Sequence, residues 1–284
     1  MTKYSKWYEK TRVWAQVNLT EDDPGRDDLP VWKEFWRENG VQGVVINAGG
    51  IVSYYPSRYE GQYHARDLDG RDYFGEWNRA ARECGLSVVA RMDINRTTGE
   101  LFARHPEWYE RDRDGNPVMA QGRYITCING GYYREFIPDI FREIAERYHP
   151  DGFADNSWSG NDRRTICYCR SCRDRFREDT GSELPEKADW TDPVYRRWVR
   201  WSYALRAELF RFYESAVREC GGEDCLWCGM LNADPFETGG RFYDLKAIVP
   251  GTRMVFCDHQ SRYPGGGFGQ NILNGLLLKL LAGG

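Results

Sequence analysis

The sequence predicts an α/β fold of the (β/α)8 TIM-barrel type. Three observations carry this: strand-then-helix patterns recur six times along the 284 residues, the longest loops follow the strands, and no Gly-x-Gly-x-x-Gly follows the first strand, which counts against a doubly wound dinucleotide-binding sheet. A closed barrel of this kind has eight strands. Six units therefore predict a single barrel domain over residues 1–284 that is incomplete, its last two strand-helix units missing and two sheet edges left open.

The first unit is residues 13–19, VWAQVNL, alternating up to Thr20-Glu21-Asp22, then turn residues and the helix VWKEFWREN closed by Gly40. Gly43 to Ala48 is a continuous apolar run of the kind buried on both faces of a parallel sheet, followed by Gly49-Gly50, a long loop and the helix YFGEWNRAARECG. The third strand, LSVVARMDIN, carries Arg91, Asp93 and Asn95 at alternate positions, so all three are expected on one face. A turn-rich interval of nearly sixty residues separates it from the fourth strand. The helix REFIPDIFREIAERY closes that interval, with Phe136, Ile140, Phe141, Ile144 and Tyr148 on one stripe.

Asp151-Gly152-Phe153-Ala154-Asp155 forms the fourth strand, opening into Asn156, Ser157, Trp158, Ser159 and Gly160. Polar groups at the C-terminal end of a barrel strand mark the active-site face. A long helix over residues 194–220 with Trp198, Tyr203, Leu205, Leu209 and Phe212 mostly inward comes next. CLWCGMLN and RMVFCDHQ are the fifth and sixth strands, and a helix running into the terminal Gly-Gly ends the chain.

Charged residues make up 29% but the net charge is only −4, so the broad basic field that nucleic acid requires is absent. The N-terminus lacks an apolar core for a signal peptide, and no apolar stretch is long enough to span a membrane. These features predict a cytoplasmic protein with neither nucleic acid nor membrane as partner; self-association into a homo-oligomer is left open. The 11 Trp and 18 Tyr exceed what a core alone requires, and flat rings with a polar handle suit sugar rings.

Nine cysteines, an odd number with three tightly clustered, fit metal in a reducing compartment better than a disulfide framework. Cys167-x-Cys169-x-x-Cys172 has a spacing suited to tetrahedral metal, and the intervening Tyr168, Arg170 and Ser171 are too polar for a core segment. Cys127, in the loop after the third strand, is the expected fourth ligand. Four thiolates make a closed structural zinc site with no open position for water, expected beside the active-site mouth. Cys225-x-x-Cys228 lies in an apolar strand, where residues three apart point to opposite faces, which argues against a redox pair. Gly265-Gly266-Gly267-x-Gly269 lacks the Lys-Ser/Thr of a P-loop and reads as a flexible loop.

RYITCINGGYYREFIPDIFREIAERY, then DGFADN, then CYCRSCRDRFRE resembles the acid-base region of the family 42 β-galactosidases over residues 123–177. The shared features are a cysteine after Arg-Tyr, a helix ending in Glu-Arg-Tyr, a strand ending in Asp-Asn and Cys-x-Cys-x-x-Cys before a helix. In that family four cysteines bind zinc, which implies the same for Cys127, Cys167, Cys169 and Cys172. The resemblance departs after Asp155-Asn156, where the general-acid glutamate is replaced by Ser157. The stretch Tyr148-His149-Pro150-Asp151 to Asp155 is similar to the family 29 α-L-fucosidases, in which an aspartate ending the fourth strand is the nucleophile. The whole chain resembles the hypothetical glycoside hydrolases grouped near these two families.

The implied activity is hydrolysis of O-glycosidic bonds by two carboxyl groups, with β-galactoside or α-L-fucoside as first substrates. Asp155 is the expected nucleophile or base. Asp258, then Glu237, are the expected partners among the strand-end acids, which otherwise read as ion-pair or helix-capping residues. Asn47, Arg91, Asp93, Asn129, Trp158, Asn232, His259 and Gln260 are expected to line the same mouth and bind the carbohydrate. The competing expectation is a barrel that binds carbohydrate without hydrolysing it, having lost its general acid at Ser157.

Overall fold

The computed structural model describes residues 6–157, 160, 162–232, 235–257 and 269–281, with the side chains of 235–237 and 269–274 outside the description. These residues form two compact units: residues 1–94, 137–157 and 214–228 in the first, and 95–136, 158–213 and 229–284 in the second.

The first unit is a parallel sheet of five strands whose spatial order is their order in the chain: Trp14–Gln16, Gly43–Gly50, Ser87–Asp93, Gly152–Asp155 and Leu226–Trp227. Parallel neighbours cannot be joined by a tight turn, so each connection carries a helix that covers the sheet. Every residue of Gly43–Gly50 is buried, which is why its sequence is continuously apolar rather than alternating.

The helices start where the sequence supplies caps. The Asp28 carboxylate accepts from Val31 N at 3.2 Å to open Leu29–Glu38, and Asp72 accepts from Gly75 N at 3.0 Å to open Tyr73–Glu83. Tyr73, Phe74, Trp77, Ala80 and Ala81 are buried along the second of these. The expected stripe is buried, Phe136 ending the preceding Tyr132–Phe136 turn and Ile140, Phe141, Ile144 and Tyr148 lying in Ile137–Tyr148, and Phe141 packs on Phe153 of the fourth strand with ring centroids 5.0 Å apart. Full burial of each such side chain contributes about 1.5–3 kcal/mol.

Two carboxylates fix this unit. Asp151 Oδ2 accepts from Arg82 Nη1 at 2.6 Å and from Val88 N at 2.7 Å, which sets the fourth strand in register with the third. Glu143, fully buried on the outer helix, accepts from Tyr55 Oη (2.7 Å), Ser57 Oγ (2.6 Å) and Arg58 N (2.7 Å), with Arg147 Nη1 3.7 Å away.

The second unit holds an antiparallel sheet of Arg96–Thr97, Met119–Ala120 and Arg123–Ile125, with the last in the middle. This sheet lies inside the interval that the sequence presents only as turn-rich. Its strands are two or three residues long, too short for a period-two pattern. Its hairpin turns on Gln121 and Gly122, both at positive φ (54° and 71°), but with Gln where Asn or Asp usually announces such a turn.

The unit also contains the helix Arg170–Thr180, stopped by Gly181 at φ 68°, and the part of Pro193–Gly221 that precedes residue 214. Met230–Leu231 pairs in parallel with Phe256–Cys257. The expected fifth strand is thus two short pieces, Leu226–Trp227 on the fourth strand and Met230–Leu231 on the sixth. Between them Gly229 lies so close to the Phe210 ring that a Cβ would not fit.

Candidate active site and metal centre

The C-terminal ends of the parallel strands carry the first constellation. Asn47 and Arg91 are register partners on the second and third strands, and strand alternation puts Asp93 on the same face as Arg91. Arg91 Nε donates to Asp93 Oδ1 at 3.2 Å and Nη2 lies 3.1 Å from Oδ2, while Asn47 Nδ2 donates to Oδ2 at 3.3 Å. Arg91 Nη1 also donates to Asn18 Oδ1, and Asn47 Oδ1 accepts from Leu19 N at 3.3 Å. The strand ends at Asp93, so Asn95 does not continue the face as the alternation predicted. The chain can turn there because Gly50, opposite Asp93, adopts φ 99° and has no Cβ to strike the Asp93 carbonyl oxygen, which accepts from Ile51 N at 2.5 Å.

Asp155 ends the fourth strand and is 7% exposed. Its Oδ1 accepts from Ser157 N at 2.8 Å and Ser157 Oγ at 2.6 Å; that hydroxyl oxygen accepts in turn from Ile94 N at 2.7 Å. Burial pushes the Asp155 carboxyl up to about 7; the Ser157 hydrogen bonds oppose the rise, nearby Asp93 adds to it and Arg91 offsets it. In the ladder Asp155 stands beside Met92 and shares its face with Phe153, whereas Arg91 and Asp93 share the opposite face with Ala154. The two acids therefore approach the strand ends from different sides of the sheet.

The four cysteines converge within the second unit. The sulfurs of Cys127, Cys167, Cys169 and Cys172 all lie within 4.8 Å of one another, with Cys127 3.4 Å from Cys169, 3.4 Å from Cys172 and 3.9 Å from Cys167. A tetrahedron with 2.3 Å metal–sulfur arms has edges of about 3.8 Å, so this tetrad has the size of a four-thiolate metal cage. Exposures of 0, 9, 5 and 4% leave the sulfurs buried. Hydrogen bonds from the other three thiols, then burial, push Cys127 well up; burial pushes Cys167 up; and hydrogen bonds led by Cys127 pull Cys169 far down. A cation at the centre would relieve this crowding by replacing the protons.

Asn129, expected to bind carbohydrate, has other partners. Its Nδ2 donates to Cys172 Sγ at 3.3 Å, its backbone N donates to Cys127 Sγ at 3.4 Å, and its Oδ1 accepts from Arg175 Nη1 at 3.0 Å. Asn232 follows the Met230–Leu231 strand and is 2% exposed. Glu237 belongs to the short helix Pro235–Gly240, its side chain outside the described residues, as are Trp158, Asp258, His259, Gln260 and the glycine loop up to residue 268. Cys225 and Cys228 are buried free thiols; burial pushes Cys225 up to about 12 and Cys228 well up, the opposite of a reactive pair.

Sequence reasoning passed over Asn18 and Arg175. Asn18 follows the short first strand at the point where strand ends gather polar groups, a usable signal. Arg175 had none, because its role depends on how Arg170–Thr180 meets the Asn129 loop.

Comparison with known proteins finds relatives in sequence and in fold. The family described as hypothetical glycosyl hydrolase 6 matches residues 33–157, and the β-galactosidase family of glycosyl hydrolases 42 matches residues 98–217. A β-galactosidase of Alicyclobacillus acidocaldarius is 30% identical over 112 residues, covering 36% of this chain and 16% of that protein. Among solved structures, the β-galactosidase of Bacillus circulans superposes with a TM-score of 0.64 at 14% identity, covering 95% of this chain and 43% of the other. An α-L-fucosidase isoenzyme of Paenibacillus thiaminolyticus gives 0.55 at 18% identity, covering 81% and 34%. The chain thus resembles the barrel glycoside hydrolases in sequence and shares their fold, while spanning less than half the length of these three relatives.

Proposed function

We propose that this chain, a relative of barrel glycoside hydrolases, forms a catalytic barrel domain that hydrolyses O-glycosidic bonds, with Asp155 as one of its two working carboxyls. The observation that carries the reading is a buried Asp155 at the C-terminal end of a parallel strand, the end of the sheet that also carries the Asn47–Arg91–Asp93 cluster on its other face. A carboxyl that titrates near 7 is suited to exchanging protons with a glycosidic oxygen or an attacking water at neutral pH. Asn47, Arg91 and Asp93 supply hydrogen bonds to hydroxyl groups. Asp258 and Glu237 remain the proposed partner acids of Asp155.

Galactosides and fucosides are the first substrates to try, given the relatives. Nitrophenyl glycosides should be turned over by the intact protein and lose about 10²–10⁴-fold in rate with Asp155→Asn; equal rates in both remove Asp155 from the chemistry. Ser157 favours a second reading, in which the chain binds carbohydrate without cleaving it. Its hydroxyl is committed to Asp155 and to Ile94 N, and an alcohol cannot protonate a leaving oxygen. Calorimetric sugar binding with no turnover of any glycoside selects that reading.

Zinc is the proposed occupant of the cysteine tetrad, since four thiolates at this spacing are a closed site for it. Cys127, Cys167, Cys169 and Cys172 would hold it, joining the loop after the third strand to the segment after the fourth. With no open coordination position it would stabilise the fold and take no part in the hydrolysis. Four of nine cysteines gathered as a metal-binding tetrad rather than paired as disulfides fit the proposed reducing, cytoplasmic setting.

A further inference from the structure

We infer that Asn129 is a positioning residue for the metal centre, an amide clamp that fixes Cys172 and is itself fixed by a charged chain reaching the long helix. The inference rests on the reading of the four cysteines as a metal site. A tetrathiolate around a divalent cation carries a net charge of about −2, and each buried sulfur needs donors beyond the metal to hold that charge. Among the described residues three N–H groups meet the tetrad: Asn129 N to Cys127, Cys172 N to Cys169, and Asn129 Nδ2 to Cys172. Two of the three come from one residue. Only the Cys172 contact depends on a side chain, whose amide must present its nitrogen rather than its oxygen.

The arrangement that fixes the amide is on the opposite side of it. Asn129 Oδ1 accepts from Arg175 Nη1 at 3.0 Å, and a guanidinium can only donate, so Arg175 forces the amide nitrogen toward the sulfur. Arg175 is held by Glu208 Oε2 at 2.5 Å, and Glu208 Oε1 lies 3.0 Å from Arg134 Nη1. Arg175 Nε also lies 3.6 Å from Asp179 Oδ2, so two arginines are matched by two carboxylates and the chain acts by holding the Arg175 guanidinium, and through it the amide, in one orientation. Glu208 lies on the helix Pro193–Gly221, Arg175 on Arg170–Thr180 just after Cys172, and Asn129 and Arg134 on the Cys127 side. Docking of that helix therefore sets the orientation of a metal ligand's partner.

Cobalt titration of the full chain tests this, with the thiolate-to-cobalt charge-transfer band as readout and chelator competition giving zinc affinity. The wild-type protein should give the band. Asn129→Ala should lose about 10- to 100-fold in zinc affinity, the range for removing a partner of a metal ligand, and should shift the band. Asn129→Asp, which turns an oxygen toward the sulfur, should lose at least as much. Arg175→Met keeps the amide but frees it to rotate, and should lose less than Asn129→Ala. Because Arg175 acts through Asn129, the double variant should bind no more weakly than Asn129→Ala alone. Metal-free circular dichroism of each variant separates loss of the clamp from loss of the fold, and Arg175→Met keeps the test open if Asn129 variants do not fold. No band in the wild-type protein overturns the metal reading and this inference together. A wild-type band retained with unchanged affinity and position in Asn129→Ala overturns the inference alone, as does a double variant whose losses add.

Discussion

Replacing Asp155 by Asn should change how stability depends on pH. The carboxyl of Asp155 sits near 7 in the fold, raised mainly by burial, against an ordinary Asp value near 4 in the unfolded chain. Between those values the folded protein holds a proton that the unfolded chain has released, so stability falls as pH rises through the window. Below about pH 4 both states are protonated and the penalty is absent; above about pH 7 it is complete. Three powers of ten in proton affinity at 1.36 kcal/mol each give roughly 4 kcal/mol, with a slope of at most about 1.4 kcal/mol per pH unit.

Asn is the apt replacement because Oδ1 already accepts from Ser157 N and Oγ, and an amide oxygen can accept both. Urea unfolding followed by tryptophan fluorescence at pH 5, 6, 7 and 8 would give the difference between variant and wild type, in which other titrating groups cancel. The variant should gain on the wild type from pH 5 to pH 8 by about 3 kcal/mol, the part of the window that range covers. A difference that stays constant across those pH values refutes the argument, since the carboxyl would then titrate alike in both states.

Cys127→Ser should reduce bound zinc from one equivalent to well below half and lower the thermal midpoint, measured by metal analysis and calorimetry; full zinc content in that variant rules out the four-thiolate site. Chelation of the wild-type protein should lower its thermal midpoint before it lowers the rate per folded molecule, because a closed site supplies stability and not water activation. Glu143→Ala should cost about 1–3 kcal/mol in denaturant unfolding, since it strands the buried Tyr55 hydroxyl and removes the acceptor of the part-buried Ser57 hydroxyl and Arg58 N–H; a loss below about 0.5 kcal/mol would mean that water replaces the carboxylate.

The four-cysteine site was legible in the sequence because its information is local. Cys-x-Cys-x-x-Cys ahead of a helix constrains three ligands by chain geometry alone, and only Cys127 needed the order of the strands to be placed. The parallel sheet was legible for a similar reason: continuous apolar runs such as Gly43 to Ala48, separated by helices with Asp caps and Gly stops, permit few pairings.

Tertiary structure decided what depends on chains meeting. The antiparallel sheet pairs strands of two or three residues, and pairs that short carry no periodic signal. Asn129 read as a polar loop residue free to bind a sugar, and only the approach of Arg175 from the helix Arg170–Thr180 turns its amide toward Cys172. Asp155 read as one strand-end acid among several. Its proton affinity follows from the depth at which it is buried, a quantity that composition and spacing do not contain, because desolvation is set by atoms brought in from distant parts of the chain.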